Sequence, residues 1–160
     1  MVKSALITVL KKVAAAVNET ASRALFEAEV ERFTDRLLEV RGWELCEKSF
    51  PVVDIRFHKE GRTGIRVRMI CDNWNDLPPS IQLLSPEGQR LTSIPRDPAG
   101  IFNNSAHPLT GFPFICTIGS REYHTHSSHT TDYWDNYKHK SGFDLGGILT
   151  KVWRAWLKAQ

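Results

Sequence analysis

The sequence predicts a mixed α+β fold in the order helix, helix, strands, long loop, helix. Three observations predict it. Apolar residues recur at helical spacing up to about residue 41, alternate singly with polar ones from residue 43 to residue 84, and return to helical spacing at the end. The chain of 160 residues matches one domain and is long enough to bury a core without disulfide or metal staples.

The elements follow in order. Leu6, Val9, Leu10, Val13 and Val17 recur as i, i+3, i+4, i+7, which predicts an amphipathic helix over residues 3–17. Asn18 and Thr20 interrupt the pattern, and residues 1–20 read as a helical extension to a single domain over 1–160. Ser22 is a candidate cap for a second helix with Leu25, Phe26, Val30, Phe33, Leu37 and Leu38 as its buried stripe, and Gly42 fits the position just past its end. Trp43, Leu45 and Glu47 open a first strand, closed by Pro51. Val53, Ile55 and Phe57 alternate with Asp54, Arg56 and His58. After a turn at Glu60-Gly61, Ile65, Val67 and Met69 alternate with Arg66 and Arg68, so the two runs predict an antiparallel hairpin. Ile81, Leu83 and Leu84 form a further strand, ended by the turn Ser85-Pro86-Glu87-Gly88. Residues 92–113 are irregular and carry four prolines and two glycines; a loop of this length is usually functional. Phe112 to Ile118 is short, apolar and extended. Residues 119–142 are polar and rich in His and Ser/Thr. Asp144 is a candidate cap for a last helix to about residue 158, with Leu145, Ile148, Leu149, Val152, Trp156 and Leu157 facing the core.

Composition narrows the function. The formal charge is +3 and the arginines form no run, so a nucleic-acid partner is not expected; Arg62, Arg66 and Arg68 read as a solvated face. No apolar run spans a bilayer, and Lys11 and Lys12 interrupt the N-terminal stretch, which argues for a helix and against a secretory leader or a membrane partner. Cys46, Cys71 and Cys116 are an odd count without short spacing. A disulfide framework is not expected and a reducing cytoplasm is. Cys46 and Cys71 sit in or beside apolar strand runs and read as small packed hydrophobes.

The chemistry concentrates late in the chain. Four of the six histidines fall within 16 residues, and the stretch reads Cys116-x5-Glu122-x-His124-x-His126-x2-His129. Thiolate, carboxylate and imidazole are all ligands that zinc accepts. In an extended strand Glu122, His124 and His126 would project from one face, with Glu122 a ligand or the group orienting an imidazole. A polar His-rich surface loop with a packed Cys116 is the plain alternative. Earlier residues add a second constellation: Pro78-Pro79 leads into a strand, His107-Pro108-Leu109 follows, and Gly111-Phe112-Pro113-Phe114-Ile115-Cys116 comes next.

In that order these motifs resemble the ubiquitin-conjugating-enzyme fold over roughly residues 22–158. Pro78-Pro79 matches the family's Pro-Pro motif, His107-Pro108 the start of its His-Pro-Asn motif, and Gly111 to Cys116 the context of its nucleophile. Leu109 stands where the family has its oxyanion Asn; Asn103 and Asn104 lie nearby. The Cys-Glu-His-His order of Cys116, Glu122, His124 and His126 (or His129) resembles a predicted metal-binding family found with bacterial ubiquitin-like conjugation operons.

The resemblance implies an antiparallel four-stranded meander packed against helices. It implies as partners a ubiquitin-like modifier, an activating enzyme and a JAB-type peptidase, in a bacterial system with antiphage defence as one setting. It implies acyl transfer through a thioester on Cys116, with His124, His126, Glu122 and His107 as the supporting catalytic candidates and no cofactor. Two alternatives stay open. One is a zinc site built from Cys116, Glu122, His124, His126 and His129, which is nearly exclusive of the nucleophile. The other is an inactive conjugating-enzyme-like scaffold, to which the missing Asn and the local aromatics are suited.

Overall fold

The structure, a computed structural model, describes residues 2–160. The side chains at positions 2, 3, 16 and 17 fall outside the description, and the expectation for Val17 lies there. The chain runs α1 (Val2–Val30), α2 (Asp35–Arg41), β1 (Trp43–Ser49), β2 (Val52–Phe57), β3 (Ile65–Ile70), β4 (Ser80–Leu84), β5 (Phe102–Asn103), β6 (Phe114–Ile115), α3 (Arg121–Thr125) and α4 (Leu145–Lys158). The α+β class and the N-terminal helix stand as expected.

The helical boundaries differ. One helix runs through Asn18 and Thr20 to Val30, and Ser22 is buried within it, capping nothing. Single polar residues weaken a helix by only about 0.5 kcal/mol each, too little to break one. The break comes later. Thr34 accepts the Leu37 N–H at 3.3 Å and caps α2. Gly42 closes α2 at φ +63, and a Cβ there would meet the His58 carbonyl oxygen at 2.6 Å, so only glycine fits.

The N-terminal stripe is not core. Leu6, Ile7, Val9, Leu10 and Val13 are all more than half exposed, and Leu25 is exposed as well. At about 3.6 residues per turn, that stripe lies roughly opposite the face that buries Ser22, Phe26 and Glu29. Helical periodicity reports a stripe and not what covers it.

Strands β1 to β4 form an antiparallel meander in sequence order. Alternation set the register: Val53, Ile55, Phe57, Ile65, Val67, Met69, Ile81 and Leu83 are all buried on one face. A one-residue slip would have inverted all eight. The C-terminal part of α1 and α4 join them in a single core, where Trp156 meets Phe57 with ring centroids 5.7 Å apart and Trp43 meets Trp153 at 5.9 Å. The last helix follows its prediction, with the Asp144 carboxylate accepting the Gly147 N–H at 2.7 Å. Glu29, buried in α1, binds the Trp74 indole N–H at 3.2 Å and the Leu145 N–H at 2.7 Å, and so pins α1 to the start of α4.

Three readings need correction here. Arg66 and Arg68 are not a freely solvated face: both close on the fully buried Asp54 carboxylate, Arg66 through two bonds at 2.6 and 3.1 Å and Arg68 at 3.0 Å. Arg62 caps α4, donating to the carbonyls of Trp156, Leu157 and Ala159. Cys71 is buried as expected, but Cys46 is exposed. Cys46 sits where the β1–β2 register shifts between Leu45 and Glu47, and the bulge turns it outward.

Among the described residues, no helix is long and apolar enough to cross a membrane.

Candidate functional site

Cys116 takes its place from a second, two-stranded sheet. β5 and β6 pair antiparallel, Phe102 with Ile115 and Asn103 with Phe114. The Cys116 N–H donates to the Ile101 carbonyl at 2.7 Å and extends the ladder by one residue. Phe102 and Ile115 are buried on one face. The alternation of strand side chains puts Asn103 and Cys116 on the other, as diagonal neighbours. Cys116 is half-buried.

His107 closes the loop that leads into β6. Its N–H donates to the Phe112 carbonyl at 3.0 Å, and its own carbonyl accepts the Gly111 N–H at 2.8 Å. Its ring packs on Phe114, 4.9 Å between centroids. Nδ1 accepts the Leu109 N–H at 3.2 Å, which leaves Nε2 to donate to the Glu122 carbonyl at 2.9 Å. The imidazole is buried and both nitrogens are engaged, so His107 staples the loop to α3. Leu109 is 74% exposed and offers only its backbone to this arrangement.

The segment after Cys116 is not a strand. Ser120, fully buried, donates to the Ile115 carbonyl at 2.6 Å and accepts the Tyr123 N–H, starting the short helix α3. Residues two apart on a helix point in nearly opposite directions. Glu122 therefore turns inward while His124 does not. The Glu122 carboxylate accepts the Ser80 hydroxyl and, at 2.9 Å, the Ile81 N–H. Arg121 holds the Pro78-Pro79 corner, donating its side chain to the Pro78 carbonyl and its backbone to that of Pro79. The carboxylate that sequence spacing aimed at a metal instead fixes the start of β4.

Glu122→Ala is accordingly expected to cost about 2–3 kcal/mol, since it leaves the buried Ile81 N–H without an acceptor. Denaturant unfolding measures this. Unchanged stability together with loss of a bound metal would restore Glu122 as a ligand.

The imidazoles divide by what holds them. His124 is half-buried; its Nδ1 donates to the Asp132 carbonyl at 2.7 Å and its Nε2 accepts the Gly119 N–H at 3.3 Å. His126 stacks on Phe114 at 5.6 Å and 20°, with its Nδ1 accepting the Ser128 N–H at 3.3 Å. His129 alone reaches the sulfur: its Nε2 lies 3.9 Å from Cys116 Sγ. Two successive turns bring it back, the His129 N–H bonding the His126 carbonyl and the Asp132 N–H bonding that of His129. Its ring lies flat on Tyr123, centroids 4.0 Å apart at 17°. Tyr123 is fixed in turn by donating to Asp132 at 2.8 Å, while Tyr137 donates to the other carboxylate oxygen at 2.7 Å. Tyr123 and Asp132 were not singled out from the sequence, and only the clustering of aromatics between residues 123 and 137 hints at them.

Burial pushes the Cys116 thiol above its ordinary pKa, and a hydrogen bond from the Asn103 side chain works against that rise. Burial pushes the His124 imidazole below its ordinary value; the bond and charge of Asp132 oppose this, and the nearby His129 adds to it. The bonds from Tyr137 and Tyr123 hold the Asp132 carboxyl low, while burial and then the bond to Asp132 push the Tyr123 phenol up to about 12.

The lowered His124 pKa has a stability consequence. Between the folded pKa and the unfolded value of about 6.5, only the unfolded chain binds the proton. The contribution of neutral His124 is thus full above pH ~6.5 and lost as pH falls below it. The melting temperature of wild type is expected to fall more steeply between about pH 7 and pH 5.5 than that of His124→Asn, which does not titrate. Equal slopes would show that the His124 environment does not favour the neutral ring.

The residues do not fit a zinc site as they stand. The Glu122 carboxylate and both His124 nitrogens are engaged within the protein, and among the described residues no group of three or more His, Cys, Asp or Glu is placed to hold a metal ion.

No family model matches the chain. The uncharacterized protein y4jH of Sinorhizobium fredii (strain NBRC 101917 / NGR234) is 26% identical to it over 168 aligned positions, covering 85% of this chain and 82% of that one. The likeness extends over most of both chains and brings no activity with it.

Proposed function

We propose that the protein is an acyl carrier of the ubiquitin-conjugating kind, which accepts a ubiquitin-like modifier as a thioester on Cys116 and passes it to a target. The observation that carries this is the half-buried Cys116 sulfur beside a supported imidazole, His129, at 3.9 Å. Burial keeps the thiol protonated at neutral pH, so a base must take its proton before it attacks. His129 is the imidazole in reach. Its ring is oriented by the stack on Tyr123, whose hydroxyl is held by Asp132. The motif order Pro78-Pro79, His107-Pro108 and Gly111 to Cys116 supports the same reading. The partners are then an activating enzyme, the modifier itself and a JAB-type peptidase of the same bacterial operon. The setting is the cytoplasm, antiphage defence is one role for such a system, and no cofactor takes part.

The test is incubation of the purified protein with the activating enzyme and modifier of that operon and ATP, followed by intact mass measurement and zinc analysis. A thiol-labile adduct on Cys116 of one modifier less one water is expected, with zinc well below one per chain. Stoichiometric zinc that depends on Cys116, with no adduct, would replace this reading by the metal site.

A further inference from the structure

Attack by a thiolate on an acyl carbonyl moves charge onto oxygen, and that oxygen needs a donor already in place. No polar side chain stands at Leu109 to provide one. Asn104 is not available: its Oδ1 accepts the Ile94 N–H at 2.9 Å and its Nδ2 donates to the Ile94 carbonyl at 2.8 Å, closing both ends of the amide. Asn103 is held differently. Its Oδ1 accepts the Ser105 N–H at 2.8 Å, which settles which end of the amide is oxygen and leaves Nδ2 as the outward donor. The β5–β6 register sets Asn103 on the same face as Cys116 and diagonal to it. Asn103 is partly exposed on the face that carries the sulfur.

We infer that Asn103 is a catalytic residue of this site: its side-chain amide donates to the oxygen of the acyl group attacked by Cys116. The inference rests on the acyl-transfer reading and adds a residue to it. In the resting site the Asn103 side chain shares the face of the sulfur and favours its thiolate over its thiol. On attack the C–S bond forms and the carbonyl π pair moves to oxygen, so the charge leaves sulfur for an atom beside it. The Nδ2–H follows the charge. Collapse re-forms the carbonyl and expels the thiolate of the activating enzyme, which keeps the electron pair of the broken C–S bond. When an amine later attacks the Cys116 thioester, the oxyanion forms at the same place. The C–S bond to Cys116 then breaks, and its thiolate takes a proton from the amine by way of His129.

Two variants separate donor from fold. Asn103→Asp keeps an acceptor for the Ser105 N–H but exchanges the Nδ2 donor for a carboxylate charge; Asn103→Ala removes donor and acceptor and adds no charge, so an effect shared by both variants reports the lost donor. The first measurement uses the protein alone: the pH dependence of iodoacetamide alkylation at Cys116, followed by peptide mass spectrometry because exposed Cys46 also reacts. Both variants are expected to raise the apparent thiol pKa. The second uses the loaded protein: both variants are expected to lower kcat for transfer by about 10²–10³-fold with little change in KM, the loss typical of one oxyanion donor. Alkylation profiles identical to wild type, or a kcat within threefold of wild type in both variants, would overturn the assignment of Asn103 alone. A wild-type protein that accepts no modifier would overturn the acyl-transfer reading, and the oxyanion role with it.

Discussion

Cys116→Ala is expected to abolish transfer outright, and Cys116→Ser to fold normally and retain the modifier as a hydroxylamine-sensitive oxyester that resists thiols. The position of the sulfur makes both variants informative. It is half-buried just past a two-residue strand, with His129 Nε2 at 3.9 Å and Asn103 beside it on the same face. Removing it deletes a reactive group and little packing. The other two cysteines are its controls. Cys71 is fully buried in the core, and burial drives its thiol far above the ordinary range, so Cys71→Ser should lower stability and spare transfer. Cys46 is exposed on the β1 bulge, and its replacement should change neither. A chelator should leave transfer intact. Transfer that survives in Cys116→Ala would end the nucleophile reading, and zinc lost from both Cys116→Ala and His129→Ala would establish the metal alternative.

The sheet was legible because its signal is local and redundant. Eight alternating apolar residues in Val53 to Leu83 admit one register, and each of them is buried. The caps at Asp144 and Gly42 were legible for the same reason: a short polar side chain or a glycine at a helix end has one main use. Glu122, His124 and His126 misled because their spacing of two is equally compatible with a strand and with opposite sides of a helical turn. Ser120 decides between them, and its signal is one residue long. Asp54 gave no warning either; the carboxylate is neutralised by Arg66 and Arg68 from the next strand, a pairing visible only once β2 and β3 are in register. His129 was the hardest to place. It lies 13 positions from Cys116 with no period that relates them, and two tight turns over residues 126–132 bring it back to the sulfur.

That placement gives the second large effect. His129→Ala is expected to slow modifier transfer at neutral pH by about 10²–10⁴-fold, the range for loss of a positioned general base. Its ring has Nε2 toward Cys116 and a flat support in Tyr123, whereas His124 has both nitrogens committed and His126 faces Phe114 and Ser128. His126→Ala should therefore stay within about tenfold of wild type, less than the full loss of a general base. The pH profile distinguishes a base from a structural prop. Burial raises the Cys116 pKa, so at neutral pH the variant lacks both thiolate and acceptor. As pH rises toward the thiol pKa, solvent removes the proton and the deficit of His129→Ala should shrink. Added imidazole should recover part of the rate by occupying the space above Tyr123. Tyr123→Phe keeps the ring under His129 but loses the bond to Asp132, and should fall between wild type and His129→Ala. A deficit that stays constant with pH and ignores imidazole would make His129 a packing residue, and a larger loss in His126→Ala than in His129→Ala would move the base to His126.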